Sequence, residues 1–186
     1  GINVTGTNDL APLDQQADML HELFPDAKNV GILYCSAEPN SAYQSQTIQG
    51  YLKDYGYECT EYTFADSNDI ASVVNNAIAT SDALYIPTDN TAASNTTIIQ
   101  NICQPAGVPI IAGEEGICSG CGVATLSISY YDLGYKTGEM AYEILVNGAD
   151  VSQTAVEFAP NVTKKYNAAN CEALGITVPD DYVAIE

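Results

Sequence analysis

Val30-Gly31-Ile32-Leu33-Tyr34, the polar loop Cys35-Ser36-Ala37-Glu38-Pro39-Asn40-Ser41 and the helically spaced segment running on to Tyr55 set the pattern of the whole chain. A continuous apolar run bounded by polar residues suits a strand covered on both faces, because neither side is left in water. Similar runs recur at Ala83-Leu84-Tyr85-Ile86 and Val108-Pro109-Ile110-Ile111-Ala112, and all three read as central parallel strands. Tyr57 to Phe64 alternates less cleanly and suits a strand nearer an edge, and Val123 to Ser129 is a fifth candidate.

Between the strands lie segments that bury one stripe. Leu10 to Phe24 carries Leu13, Ala17, Leu20 and Phe24 at helical spacing, and Ser41 to Tyr55 carries Ile48, Leu52 and Tyr55. Asp69 to Ala79 repeats the pattern with Ile70, Val73, Val74, Ala77 and Ile78, and Ala92 to Cys103 is a weaker, Thr-rich version. Asp132 to Val146 is the last long helix, with Gly148 as a stop just past its end. Strands alternating with helices predict an α/β fold, a three-layer sandwich whose mostly parallel central sheet is wound by right-handed crossovers. After Gly148 the pattern weakens to a short extended run at Ala155 to Phe158, a small helix near Ala168 to Leu174 and a Pro-containing tail.

Twenty-four acidic and five basic side chains in 186 residues give a formal charge of −19. Five scattered cations cannot neutralise a run of phosphates, so nucleic acid is excluded as a partner, and an anionic membrane face is disfavoured for the same reason. No apolar run reaches the roughly 18–20 residues that span a bilayer. The amino terminus shows neither a basic n-region nor an apolar h-region.

In an open α/β sheet, ligands bind beyond the carboxyl ends of the strands, where loops and helix amino termini converge. Three loops qualify: Cys35 to Ser41, Pro87-Thr88-Asp89-Asn90-Thr91, and Gly113-Glu114-Glu115-Gly116. Asn40 or Ser41 can cap the helix that follows, and such a terminus attracts a carboxylate through open amides and about half a unit of positive dipole charge. Asp89 and Glu114 have the charge to receive an ammonium. Singly, such residues are ordinary caps and turn formers, so the functional case rests on all three loops sharing one edge.

Phosphate-binding glycine loops, the Gly-x-Gly-x-x-Gly fingerprint and the Gly-x-Ser-x-Gly elbow are absent from the sequence. His21 alone gives a His-dependent triad little material, and it reads as a surface or core-edge residue. Cys118-Ser119-Gly120-Cys121, read as a Gly-rich loop between two strands, suits a local disulfide or free loop thiols better than redox catalysis, which favours a cysteine at a helix amino terminus. No second cysteine or histidine pair completes a zinc site, and no cofactor is indicated.

The ordered blocks Asn3-Val4-Thr5-Gly6-Thr7-Asn8-Asp9, Val30 to Tyr34 with Glu38-Pro39-Asn40-Ser41, Tyr85-Ile86-Pro87-Thr88-Asp89-Asn90, Gly113-Glu114-Glu115, Tyr130-Tyr131-Asp132-Leu133-Gly134 and Ala173 to Pro179 resemble ABC-transporter substrate-binding proteins of the tryptophan/tyrosine type. The resemblance runs the whole length. It implies one lobe of a type I periplasmic-binding fold, in which two α/β lobes close on a small ligand, commonly an aromatic amino acid. Family members begin with about a hundred further residues, a typical domain's worth, so the resemblance implies a first lobe largely missing here. The Cys-x-x-Cys segment departs from the family pattern. The implied segmentation is a ligand-binding lobe over 1–130, a crossing helix over 131–153 that packs on the missing lobe, and a return to the same lobe over 154–186.

Carried over by position, the ligand-binding candidates are Asn8 and Asp9 at the first hinge, then Glu38, Asn40, Ser41, Thr88, Asp89, Asn90, Glu114 and Glu115, with Tyr131 and Asp132 at the second hinge. Amides and caps suit the carboxylate of a zwitterion, and acids suit its ammonium. The implied function is extracytoplasmic solute binding, without chemistry, for an ABC permease in the membrane, in a protein that is anchored when full-length. Two other functions fit parts of the sequence. One is a flavodoxin-like or thiol redox domain using Cys118 and Cys121; the other is a one-lobe sensor or protein-interaction module that self-associates through the 131–147 helix.

Overall fold

The strand at the centre of the sequence argument, β2 (Asn29–Cys35), is buried at every position from Val30 to Cys35 in the computed structural model, which describes residues 3–185. Its neighbours are β3 (Glu58–Phe64) on one side and β4 (Ala83–Ile86) on the other, both parallel to it. The sheet continues through β5 (Ile110–Ala112) and β6 (Ala124–Ile128), again parallel, to β8 (Val162–Tyr166) and β9 (Val183–Ala184). Its order is β3-β2-β4-β5-β6-β8-β9, so β3 is an edge strand as its imperfect alternation predicts.

Successive residues of a strand face opposite sides, and here both sides are covered. Leu33, Leu84, Ile86 and Ile110 join Val74 of α3 (Ile70–Ile78), Ile99 and Cys103 of α5 (Thr96–Ala106) and Ile117 of α6 (Glu115–Cys121) in one buried cluster. Tyr85, fully buried, points the other way and donates to Gln16 of α1 (Leu13–Leu23), which packs beside α2 (Pro39–Asp54). The result is the three-layer α/β arrangement expected from the sequence.

Several boundaries differ from the sequence expectation. The Thr-rich helix is two, α4 (Asn90–Ala93) and α5, because Ser94 and Asn95 turn their side chains back onto the carbonyls of Asn90 and Thr91 and so compete with helix continuation. Cys118 and Cys121 lie on α6, not in a loop. Glu114 caps that helix by accepting from the amides of Gly116 (2.7 Å) and Ile117, which overrides the glycines. Gly120 lets α6 approach α5, since a Cβ there would run into the side chain of Thr96. Of the two readings, a local disulfide or free thiols, the pair shows the second as two buried thiols, and all six cysteines are free. β8 escaped the sequence reading because of Lys164 and Lys165, whose ammonium groups pair with Glu22 and Asp181 and with Glu115 respectively.

The chain divides into two compact units and passes between them three times. One unit holds most of the seven-stranded sheet over Pro12–Ser127 and Lys164–Glu186. The other joins the residues up to Ala11 with Ile128–Thr163. In it β1 (Thr7–Asn8) pairs in parallel with β7 (Glu157–Phe158), and Thr7 and Thr137 of α7 (Tyr130–Leu145) bring their hydroxyls within 2.7 Å. That pairing draws residues 3–11 and 154–163 to α7, whereas the sequence segmentation grouped them with the larger lobe. A short α8 (Ala168–Leu174) precedes the terminal strand of the larger unit.

Candidate functional site

Because β2, β4 and β5 are parallel and in register through Ile32, Tyr85 and Ile111, their carboxyl ends open on one edge of the larger unit. The loops that follow them meet there. Asn40 Nδ2 and Ser41 Oγ, in the first turn of α2, donate to the carbonyl of Thr88 at 2.9 and 3.0 Å. The amide of Thr88 donates to Gln44 Oε1 at 3.0 Å. Thr88 is thus held by one helix at both its backbone amide and its carbonyl. Gly113, starting the β5 loop, lies so close that a Cβ on it would sit 2.7 Å from the backbone of Pro87 and Thr88.

The acids at this rim are occupied by the chain's own donors. Glu38 accepts from the amide and side chain of Asn90 with one oxygen and from the amide and hydroxyl of Thr91 with the other, at 2.9–3.0 Å. Burial pushes its carboxyl up, but those four bonds outweigh it and hold Glu38 below the ordinary carboxylate range. Asp89 is 1% exposed and accepts from the amides of Cys35 and Ala92, each at 2.8 Å. Burial dominates there and raises its pKa despite the two amides. Glu114 caps α6. Glu115 pairs with Lys165 at 2.7 Å and accepts from Ser127 at 2.9 Å, and the Lys165 ammonium holds its carboxyl low.

Glu38, Asn40, Ser41, Thr88, Asp89 and Asn90 therefore form one bonded group, and Gly113 brings the Glu114–Glu115 loop against it. Asp89 and Glu114, which have the charge to receive an ammonium, each accept from two backbone amides of the chain. Among the described residues, what stays open is the amino terminus of α2, which no side chain caps, and Asn40 Oδ1, since only its Nδ2 is engaged.

The other four candidates belong to the smaller unit. Asn8 Oδ1 accepts from the amide of Leu10 at 2.9 Å, Asp9 is exposed, and the amide of Asp132 is taken by the capping hydroxyl of Ser129. Tyr131 is 81% exposed, and with Tyr135, Tyr142 and Leu145 it forms an outer stripe on α7 opposite the buried Leu133 and Met140.

Sequence reasoning missed Gln16 and Gln44. Their signal was a polar residue on the apolar stripe, beside Leu13 and Leu20 in one helix and Ile48 in the other. His21 stacks on Tyr55 with ring centroids 4.2 Å apart and places Nδ1 2.8 Å from the Tyr57 hydroxyl, a local packing arrangement away from the rim. Among the described residues no group of three or more His, Cys, Asp or Glu could hold a metal, and no helix is long and apolar enough to cross a membrane. Burial pushes the thiols of Cys118 and Cys121 well above their ordinary value, the reverse of what thiol exchange requires.

Comparison with known proteins adds the family. A match to the family described as ABC transporter substrate binding protein covers residues 1–185. A tyrosine-binding protein of Clostridioides difficile strain R20291 is 36% identical over 145 residues, 78% of this chain and 42% of the relative. A substrate-binding protein with adhesive properties from Clostridium difficile, solved ligand-free and open, superposes with a TM-score of 0.81 at 32% identity, over 98% of this chain and 62% of its own. An ABC domain from Streptococcus pneumonia in complex with L-Trp gives a TM-score of 0.87 at 30% identity, over 98% and 65%. The chain thus spans about four-tenths of the curated relative and under two thirds of the solved ones.

Proposed function

The chain belongs to the family of ABC transporter substrate-binding proteins, and from that membership we propose that it captures an aromatic amino acid for an importer of this type. In this reading it works outside the cytoplasm, extracellular or periplasmic and anchored to the membrane in the full-length protein, and hands its ligand to an ABC permease. The rim of the larger unit supplies one wall of an interlobe cleft. The ligand's carboxylate lies against the uncapped amino terminus of α2, where open amides and the helix dipole favour negative charge. Asn40 Oδ1 accepts from its ammonium. A second wall closes over it, and the ligand stabilises the closed state by touching both walls.

The observation that carries this reading is the bonding of Asn40 and Ser41 to Thr88, which joins the loops after two parallel strands into one polar surface beside an open helix terminus. The relatives' ligands, tyrosine by name and L-Trp in a complex, support the aromatic class. Titrating L-tryptophan and L-tyrosine into the isotope-labelled chain tests it. The amides of residues 38, 40 and 41 and of residues 88–90 should shift, with L-alanine moving them less. If none shifts at about 10 mM aromatic amino acid, weaker than any useful capture, the reading fails.

The outer stripe of α7 favours a second reading, in which the smaller unit makes a protein contact, a second copy of this chain included. Sedimentation over a range of concentrations tests it: a species of constant monomer mass removes self-association.

A further inference from the structure

We propose that Gln16 and Gln44 are positioning residues of the ligand wall, each holding one rim loop by its backbone so that the wall keeps its shape before a ligand arrives. The inference rests on the function proposed above and extends it to two side chains that lie beneath the rim. Gln16 is 1% exposed and Gln44 5%. A buried primary amide is unfavourable unless its polar atoms are paired, so its presence on an apolar helix stripe calls for a partner.

Both partners are loop backbone. Gln16 Nε2 donates to the carbonyl of Gly113 at 3.2 Å, while its Oε1 accepts from the Tyr85 hydroxyl at 2.5 Å, which fixes the orientation of the amide. Gln44 Oε1 accepts from the amide of Thr88 at 3.0 Å. These two peptides belong to the loops after β5 and β4, which touch backbone to backbone at Gly113 and Thr88 with no room for a side chain between them. The glutamines grip that contact from two different helices, α1 and α2. Above it, Asn40 and Ser41 hold the Thr88 carbonyl. These side chains thus hold the spacing between the loops, and a wall ordered in advance loses less entropy when a ligand binds.

The test uses the full chain, L-tryptophan as the probe, and amide spectra recorded well below each variant's melting temperature. Gln44→Met and Gln16→Met should weaken the titration roughly fivefold, the effect of losing about one hydrogen bond. The exposed control Gln46→Met should leave it unchanged. In Gln44→Met without ligand, the Thr88 amide should exchange about tenfold faster. Gln16→Glu adds a pH dependence that is read against the wild-type profile. Its protonated carboxyl can still donate to Gly113 and accept from Tyr85, whereas its carboxylate has no proton to donate, so binding should match wild type at about pH 5 and weaken by about pH 8. If both Met variants titrate like wild type and only their melting temperatures fall, the glutamines are ordinary core residues and the inference is wrong. A wild type that does not titrate sinks the proposed function instead, and Thr88 exchange then decides the clamp alone: an unchanged rate in Gln44→Met overturns it.

Discussion

Glu38 takes Thr91 by both of its donors, the backbone amide and the side-chain hydroxyl each lying 2.9 Å from Oε1. With Asn90 on the other oxygen, the carboxylate closes the loop after β2 onto the first turn of α4, a joint between two rim loops that depends on its charge.

That dependence has a sign. The Glu38 pKa is lowered in the folded protein, so its stabilising contribution is present above the ordinary carboxylate range and is lost as pH falls through its depressed value. Glu115, held low by Lys165, acts in the same direction. Asp89, raised by burial, acts in the opposite one, favouring the fold below its ordinary value and opposing it as pH rises through the folded value. Glu38→Gln should therefore lower stability at neutral pH by about 1–2 kcal/mol, because an amide now faces the donors of Asn90. It should also flatten the loss of stability below about pH 4. Urea unfolding at a series of pH values checks both, and an unchanged acid slope would refute the charge assignment.

Gly113→Ala should destabilise the protein by about 2–3 kcal/mol, as an added Cβ meets the backbone of Pro87 and Thr88 and neither can swing aside. Gly134→Ala on α7 is the internal contrast. A Cβ added there meets nothing within 4 Å beyond its own helix backbone, so the same change should stabilise by roughly 0.5–1 kcal/mol through helix propensity. Equal effects of the two substitutions in chemical denaturation would contradict the close approach.

The buried thiols should be inert in the folded chain. Burial pushes Cys103 up to about 12 and raises Cys118, Cys121 and Cys171, while Cys59 is raised but only half-buried. Native alkylation followed by mass mapping should modify Cys59 first and leave Cys103, Cys118 and Cys121 unmodified until denaturant is added. Raised values also mean that the folded state keeps thiols protonated where the unfolded chain ionises them, so stability should fall as pH climbs above about 8.5.

Replacing Tyr131 and Leu145 together by Ser should change stability by less than about 0.5 kcal/mol each, since both side chains lie in solvent at 81% and 83% exposure. The same double variant should bind less of a dye that reports apolar surface. A large drop in melting temperature would show that the stripe packs within the unit.

The apolar runs at Val30, Ala83 and Val108, each followed by polar loop and amphipathic segment, determined the parallel α/β sheet by themselves. A strand buried on both faces must be apolar throughout, and parallel neighbours require a covering helix between them. Placing the three loops on one edge followed from that topology. The distant partners of Glu38 and Asp89 did not, because a carboxylate's role depends on which amides come within 3 Å of it, and here some are supplied by segments about fifty residues away, as when Glu38 meets Asn90 and Asp89 meets Cys35. Only the tertiary structure could give Asp89 the amide of Cys35, pair β1 with β7 across the chain, and bring Gln16 and Gln44 under the rim. In each case a local pattern left several arrangements open, and bonds between segments distant in the chain selected one.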